Sequence, residues 1–244
     1  MNHEQSSNRK TRPLRAARQE PKKSNARHLL QTVVLSIVLD CTESMTPYIT
    51  GLLQALDAFL AILESGGFDV KAGLVLYRDE KIGEQPELYP VGTPISELRA
   101  ILRRVKASGG GDEPESALPA LARAIEQMNA HDDAGRAKVM LHITDAPPHL
   151  DEGPTTQSVV TDLLSSGVFY FACAPRNVDA YLQFAELTKG VLFPLEAGLP
   201  TEQFQTMLLE VARVSVVTLT MTGPAAGAEF SHVLRQEKHP SREE

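Results

Sequence analysis

Short, continuous apolar runs alternate along this chain with longer amphipathic ones. Val33 to Leu39 is apolar throughout except at Ser36 and is rich in β-branched residues. That pattern predicts a parallel strand covered on both faces. After Asp40 the period changes: Met45, Ile49, Leu52, Leu53, Leu56, Phe59, Leu60 and Leu63 recur at three and four residues. They predict a helix capped by Thr46, with Pro47 in its first turn and Gly66-Gly67 as its stop. A strand is expected over Val70 to Tyr77 and a helix over Ile95 to Val105. The run Ser108-Gly109-Gly110-Gly111-Asp112 leads into a helix expected from Glu113 to Met128, where Pro119 requires a kink or a later start.

The alternation continues with a strand at Ala137 to Thr144, a helix at Val159 to Leu164 and a strand at Val168 to Ala172. A helix at Val178 to Leu187, a short strand at Val191 to Leu195 and a helix at Glu202 to Val214 follow, leaving Val214 to Met221 β-prone and unplaced. Strands separated by helix-length crossovers imply an α/β fold, a doubly wound and mainly parallel sheet flanked by helices.

Composition changes the picture at the two ends. Residues 1–28 carry eight Lys or Arg against two Glu, leaving 16 basic and 29 acidic residues for the rest of a chain whose net charge is -7. With Pro13, Pro21 and almost no large apolar side chain, that leader is expected to be disordered. The expected organisation is a basic leader over 1–28, a folded domain over 29–217, and a C-terminal extension with a polar tail over 218–244. No apolar run approaches the ~18 residues of a membrane span, and no signal-peptide pattern is present, so a cytoplasmic protein is expected. The two Cys are distant from each other and make no disulfide framework. The leader could hold nucleic acid by counterion release, although it lacks the interleaved aromatic residues that stack on bases.

Candidate chemistry gathers where strands end. In an open α/β sheet, ligands bind beyond the carboxyl ends of the strands. Asp40, Thr42 and Ser44 follow the first strand, Asp112 follows the glycine run, and Asp145 follows the strand ending at Thr144. Oxygen donors of this kind suit a hard cation, Mg²⁺, Mn²⁺ or Ca²⁺. The plainer reading makes these residues helix caps. His142 and Cys173 read as core residues, and Cys41 has no partner base to activate it.

These motifs carry a resemblance. Asp40-x-Thr42-x-Ser44, a long helix, a glycine-rich loop and Ile143-Thr144-Asp145 resemble a von Willebrand factor type A (vWA) domain with its metal-ion-dependent adhesion site, over residues 32 to 215. More narrowly, Tyr77-Arg78-Asp79, Gly109 to Glu115 and Thr144 to His149 are similar to vWA domains found beside alpha-type protein kinases and in bacterial proteins. The resemblance implies that Asp40, Thr42, Ser44 and Asp145 line a metal site, Mg²⁺ first among candidates. Where the family usually offers Thr, this chain offers Asp112 by position, and Glu43, Arg78, Gly111 and His149 are expected around the metal or at the partner contact. With three ionised aspartates, such a site would be net negative and would attract an acidic partner residue less than one with Thr.

The function implied is a metal-dependent adaptor without catalysis. Its implied partners are MoxR-type AAA ATPases or protein kinases and phosphatases of stress or defence systems. The alternative from a different class is a Mg²⁺-dependent phosphohydrolase. Its nucleophile loop, however, needs a second aspartate where Thr42 stands, together with a later Lys that the chain does not show.

Overall fold

The computed structural model describes residues 31–220 except 66, 67, 112, 132–136, 152, 197 and 198. The expected leader, nearly all of the C-terminal extension, the Gly66-Gly67 stop and Asp112 lie outside the described residues.

Six strands and six helices follow one another: β1 (Gln31–Asp40), α1 (Thr46–Ser65), β2 (Phe68–Tyr77), β3 (Glu87–Tyr89), α2 (Ile95–Leu102), α3 (Ala117–Ala130), β4 (Ala137–Ile143), α4 (Thr156–Ser165), β5 (Val168–Ala174), α5 (Asp179–Leu187), β6 (Val191–Pro194) and α6 (Thr201–Thr220). They form one sheet in the order β3-β2-β1-β4-β5-β6. All pairs are parallel except β2 with β3, so the α/β class expected from the alternation is the one observed.

The order reverses at β1. From β1 the chain moves outward to β2 and β3, then returns to place β4 on the other side of β1. The switch point therefore lies between β1 and β4, where a doubly wound sheet opens a crevice at its carboxyl edge. The register puts Asp40 opposite Tyr77 and Leu39 opposite Ile143, so the loops after β1, β2 and β4 leave the sheet side by side.

β1 is buried on both faces, which explains its unbroken apolar run. Val33, Leu35, Ile37 and Leu39 pack with α1, α2 and α6, while Val34 and Val38 pack with α3, α4 and α5. Burying a chain of this size needs both layers, because one face of a six-stranded sheet would otherwise meet water.

Several expectations shift. Thr46 is the first helical residue and no N-cap: a 3-10 turn at Glu43–Met45 precedes it, and its hydroxyl donates to the Glu43 carbonyl at 2.6 Å. α3 starts at Ala117, not Glu113, which leaves Pro119 in the first turn, where its missing N–H breaks no helical bond. The β-prone stretch from Val214 continues α6 through Thr220, past the boundary expected at 217, so local β-propensity yields to the helix already under way. β3 was not foreseen. It has three residues with exposed Glu87 and Leu88 at the sheet edge, too short for a period to register. Among the described residues, no single helix is long and apolar enough to cross a membrane.

Candidate metal site

Backbone hydrogen bonds draw three loops together beyond β1 and β4. The Cys41 N–H donates to Tyr77 O at 2.8 Å, Ser108 N–H to Cys41 O at 2.9 Å and Glu43 N–H to Gly109 O at 3.1 Å, tying the glycine turn to the loop after β1. Farther on, the Glu115 N–H donates to Pro147 O and the His149 N–H to Glu115 O, both at 2.9 Å, tying the same segment to the loop after β4.

Side chains continue this lacing. Asp40 Oδ1 accepts from the Thr42 N–H at 2.9 Å and the Thr42 hydroxyl at 2.7 Å, and its Oδ2 accepts from the Thr144 hydroxyl at 2.7 Å. Thr42 Oγ1 lies 3.1 Å from Ser44 Oγ, and the Ser44 hydroxyl donates to Asp145 Oδ1 at 2.9 Å. A continuous chain of oxygens thus runs from Asp40 through both hydroxyls to Asp145 across the switch point. Asp40, Thr42 and Thr144 are buried, whereas Ser44 is exposed and Asp145 half-buried.

The acids here bear the cost of burial. Burial pushes the Asp40 carboxyl up to about 6, against three hydrogen bonds that lower it and with the Asp145 charge adding to the rise. Asp145 is likewise raised, chiefly by burial. Burial raises Glu115 further, to about 9, with the charges of Asp40, Asp79, Glu84 and Asp145 adding to it. Such a set is a poor resting place for negative charge and a good one for a positive ion between the acids.

The glycine turn shapes the third side. Gly109, Gly110 and Gly111 all have positive φ. A methyl group on Gly110 would sit 2.6 Å from both Glu115 Oε1 and Thr42 Cγ2, and one on Gly109 would collide with Glu84 Oε1. Glycine is needed at these two positions for conformation and for space. Glu84 fastens the turn, its Oε2 accepting from the Gly110 N–H at 3.0 Å and the Asp79 N–H at 3.3 Å.

Of the residues expected from sequence, Asp40, Thr42, Ser44 and Asp145 come together, while Asp112 lies outside the described residues. Arg78 does not reach them. Its Nε donates to Ser108 O at 2.8 Å and its Nη2 to Lys106 O at 3.3 Å, so it props the start of the glycine turn. Among the described residues, the carboxylate it pairs with is Glu87, at 3.9 Å. His149 faces Asp79, with Nε2 3.1 Å from Oδ1. Glu43 is exposed, and Gly111 is an exposed residue of the turn. Cys41 is buried and its thiol is pushed up to about 12, which excludes a resting thiolate.

Sequence reasoning passed over four residues that organise this edge. Thr144 holds Asp40. Asp79 is buried and accepts from the Lys81 N–H and the Ser116 hydroxyl as well as facing His149. Glu84 fastens the turn, and Glu115 is 4% exposed with an Oε2 that has no hydrogen-bond partner. Asp79 and Glu115 stand within the stretches that carry the vWA resemblance, which was the available signal; Glu84 had none. Among the described residues, no three His, Cys, Asp or Glu side chains form a group able to hold a metal by themselves, so an ion here would draw on the hydroxyls of Thr42 and Ser44. Asp40 and Asp145, both raised by burial and linked through those two hydroxyls, are the acids such an ion would meet.

No family model matches the chain. It is 28% identical over 120 residues to the ariadne-like RING finger protein R811 of Acanthamoeba polyphaga mimivirus, a match covering 49% of this chain and 12% of that protein. It is 24% identical over 160 residues to the alpha-protein kinase vwkA of Dictyostelium discoideum, covering 58% of this chain and 25% of the kinase. The chain therefore spans a quarter or less of either curated relative it matches.

Proposed function

We propose that the chain is a vWA-type interaction module, without catalysis of its own, that grips a protein partner through a divalent cation at the β1–β4 edge. The observation carrying this reading is the oxygen chain from Asp40 through Thr42 and Ser44 to Asp145, set at the switch point among acids raised by burial. Asp40, Thr42, Ser44 and Asp145 would hold the ion, Mg²⁺ first, and Asp112 belongs to the proposed set by sequence. When bound, the cation offers a positive coordination position to an oxygen of the partner.

Two further observations support a protein as that partner. A cleft of about 480 Å³ opens beside Asp145, lined by Pro147, Pro148, Leu150, Pro175 and Val178, and Leu150 is 68% exposed. The relatives' names describe a RING finger protein and an alpha-protein kinase, and each match covers a quarter or less of the relative, which favours a module over a whole catalytic unit. A protein kinase, a phosphatase or a MoxR-type AAA ATPase is the proposed class of partner, in the cytoplasm.

The test is a Mg²⁺ titration of the whole chain followed calorimetrically, with a pull-down from host extract run with and without chelator. Wild type should bind one cation and lose its partner in chelator, and Asp40→Ala should bind neither the cation nor the partner. A chain that binds no divalent cation, or a partner that persists both in chelator and on Asp40→Ala, would overturn the reading.

A further inference from the structure

Positive charge is unevenly placed on this acidic body. Outside residues 1–28 the chain carries 16 basic and 29 acidic residues, yet a cleft of about 410 Å³ at the β3 edge is lined by Arg78, Arg104 and Lys106 against one acid, Glu87. The cleft lies between the face of β3 that carries Glu87 and Tyr89 and the segment leading from the end of α2 towards the glycine turn. Its floor is apolar, with Leu76 and Ile101 buried and Val105 half-buried.

Two of the three cations are unspent. Arg78 donates to Ser108 O and Lys106 O and lies 3.9 Å from Glu87, whose other oxygen accepts from the Tyr89 hydroxyl at 2.8 Å. Arg104 gives its Nε to Ala100 O at 3.2 Å, and both Arg104 and Lys106 are exposed. Neither is paired with a carboxylate among the described residues. A helix end favours cations, which accounts for Arg103 and Arg104 after Leu102 but not for Lys106 beyond the helix or Arg78 after β2. β3 also ends the sheet, with β2 on one side and no strand on the other among the described residues. Such an edge can take an extended peptide through main-chain hydrogen bonds, with side-chain pockets supplying specificity.

We infer that this cleft docks an extended, acidic segment of a partner protein. One large apolar side chain of that segment rests on Leu76, Ile101 and Val105, and a neighbouring carboxylate meets Arg104 and Lys106. The inference is independent of a cation at the β1–β4 edge. Charge selects the occupant: the basic leader would be repelled from the cleft, and a nucleic acid would run past three cations onto an acidic surface. A short acidic segment meets the cations and covers little else.

Selection of a phage-displayed library of random short peptides on the full chain, followed by fluorescence polarisation of the enriched peptide, tests this. Wild type should enrich peptides that combine Asp or Glu with a large apolar residue. Arg104→Glu with Lys106→Glu should weaken the enriched peptide at least about tenfold, while Arg103→Glu, an exposed position outside the cleft, should stay within about threefold of wild type. If the double reversal lowers the melting temperature, Arg104→Gln with Lys106→Gln must reproduce the loss of binding. Chelator should leave the affinity unchanged; loss in chelator would move the peptide to the β1–β4 edge and overturn the inference. It also fails if wild type enriches no acidic peptide, if the double variant keeps wild-type affinity, as binding by the basic leader would produce, or if Arg103→Glu weakens binding as much. A wild-type dimer in sedimentation that the double variant dissociates would make the occupant a second copy. Displacement of the peptide by an equal concentration of single-stranded oligonucleotide would make it a nucleic acid, and either result would overturn the inference.

Discussion

Two polar clusters, one within β4 and one beyond its carboxyl end, differ in how fully they are satisfied. His142 is completely buried in the sheet, with Nε2 2.9 Å from the Tyr77 hydroxyl and Nδ1 2.7 Å from the Tyr170 hydroxyl, and Tyr181 packs edge-on against its ring. Each ring nitrogen has a hydroxyl that can donate or accept as the tautomer requires. Burial lowers this histidine to about 3, so it stays neutral and closed. At the carboxyl edge of the same strand, Asp40, Asp145 and Glu115 are raised by burial, and one Glu115 oxygen has no partner. A satisfied polar cluster specifies the core, whereas an unsatisfied one marks where a ligand is expected.

The contrast can be broken from either side, and the largest effect is expected in the closed cluster. Tyr77→Phe combined with Tyr170→Phe strands both nitrogens of His142 and should destabilise the fold by about 2 to 5 kcal/mol, read by urea unfolding, without abolishing the response to Mg²⁺. At the open cluster the expected sign is reversed. Saturating Mg²⁺, at about a hundredfold excess over its dissociation constant, should raise the melting temperature by about 5 to 10 °C. Asp40→Asn should lose that rise while melting no lower than wild type in chelator, because it removes a charge the fold holds at a cost. A marked destabilisation of Asp40→Asn in chelator would show that the Asp40 hydrogen bonds outweigh its burial, and the comparison would lose its force.

Acidity separates the two clusters by sign. Asp40 is raised in the folded state, so its contribution to stability is fully present below about pH 4 and is lost as pH rises through about 6; for Glu115 the loss continues to about 9. His142 is lowered, so its contribution is present above about pH 6.5 and is lost as pH falls toward 3. Between pH 6 and 4, in chelator, Asp40→Asn should therefore lose stability on acidification more steeply than wild type. Equal slopes for the two proteins would contradict the raised carboxyl.

The smallest effect distinguishes two neighbouring glycines. Gly111→Ala meets only Ile82 Cδ1, at 3.7 Å, and should cost about 1 kcal/mol for its left-handed backbone, with Mg²⁺ binding kept. Gly110→Ala, with its contacts at 2.6 Å, should lose Mg²⁺ binding as well. Calorimetry on the pair reads both outcomes.

The parts legible in the sequence were those fixed by period and by strand ends. β1, with both faces buried, announced itself as an apolar run, and Asp40 and Asp145 were visible as the residues where such runs stop. α3 was placed too early because the helix-like spacing gave no sign that Glu115 is held in a bridge to Pro148, which keeps the chain extended until Ala117. Glu84, Glu115 and the pairing of Asp79 with His149 depend on loops folding back over one another, which no local pattern encodes. Arg78 was expected around the metal or at the partner contact, and its main partners are two backbone carbonyls of the segment leading into the glycine turn.

The lacing of the three loops is done almost wholly by backbone groups and by a few buried side chains. Exposed positions at the same edge, such as Glu43, Ile82 and Leu150, are left with little structural duty. Mutation can therefore sample new surface chemistry there at small cost in folding, so under the proposed reading a lineage could exchange one partner for another while the cradle beneath stays the same.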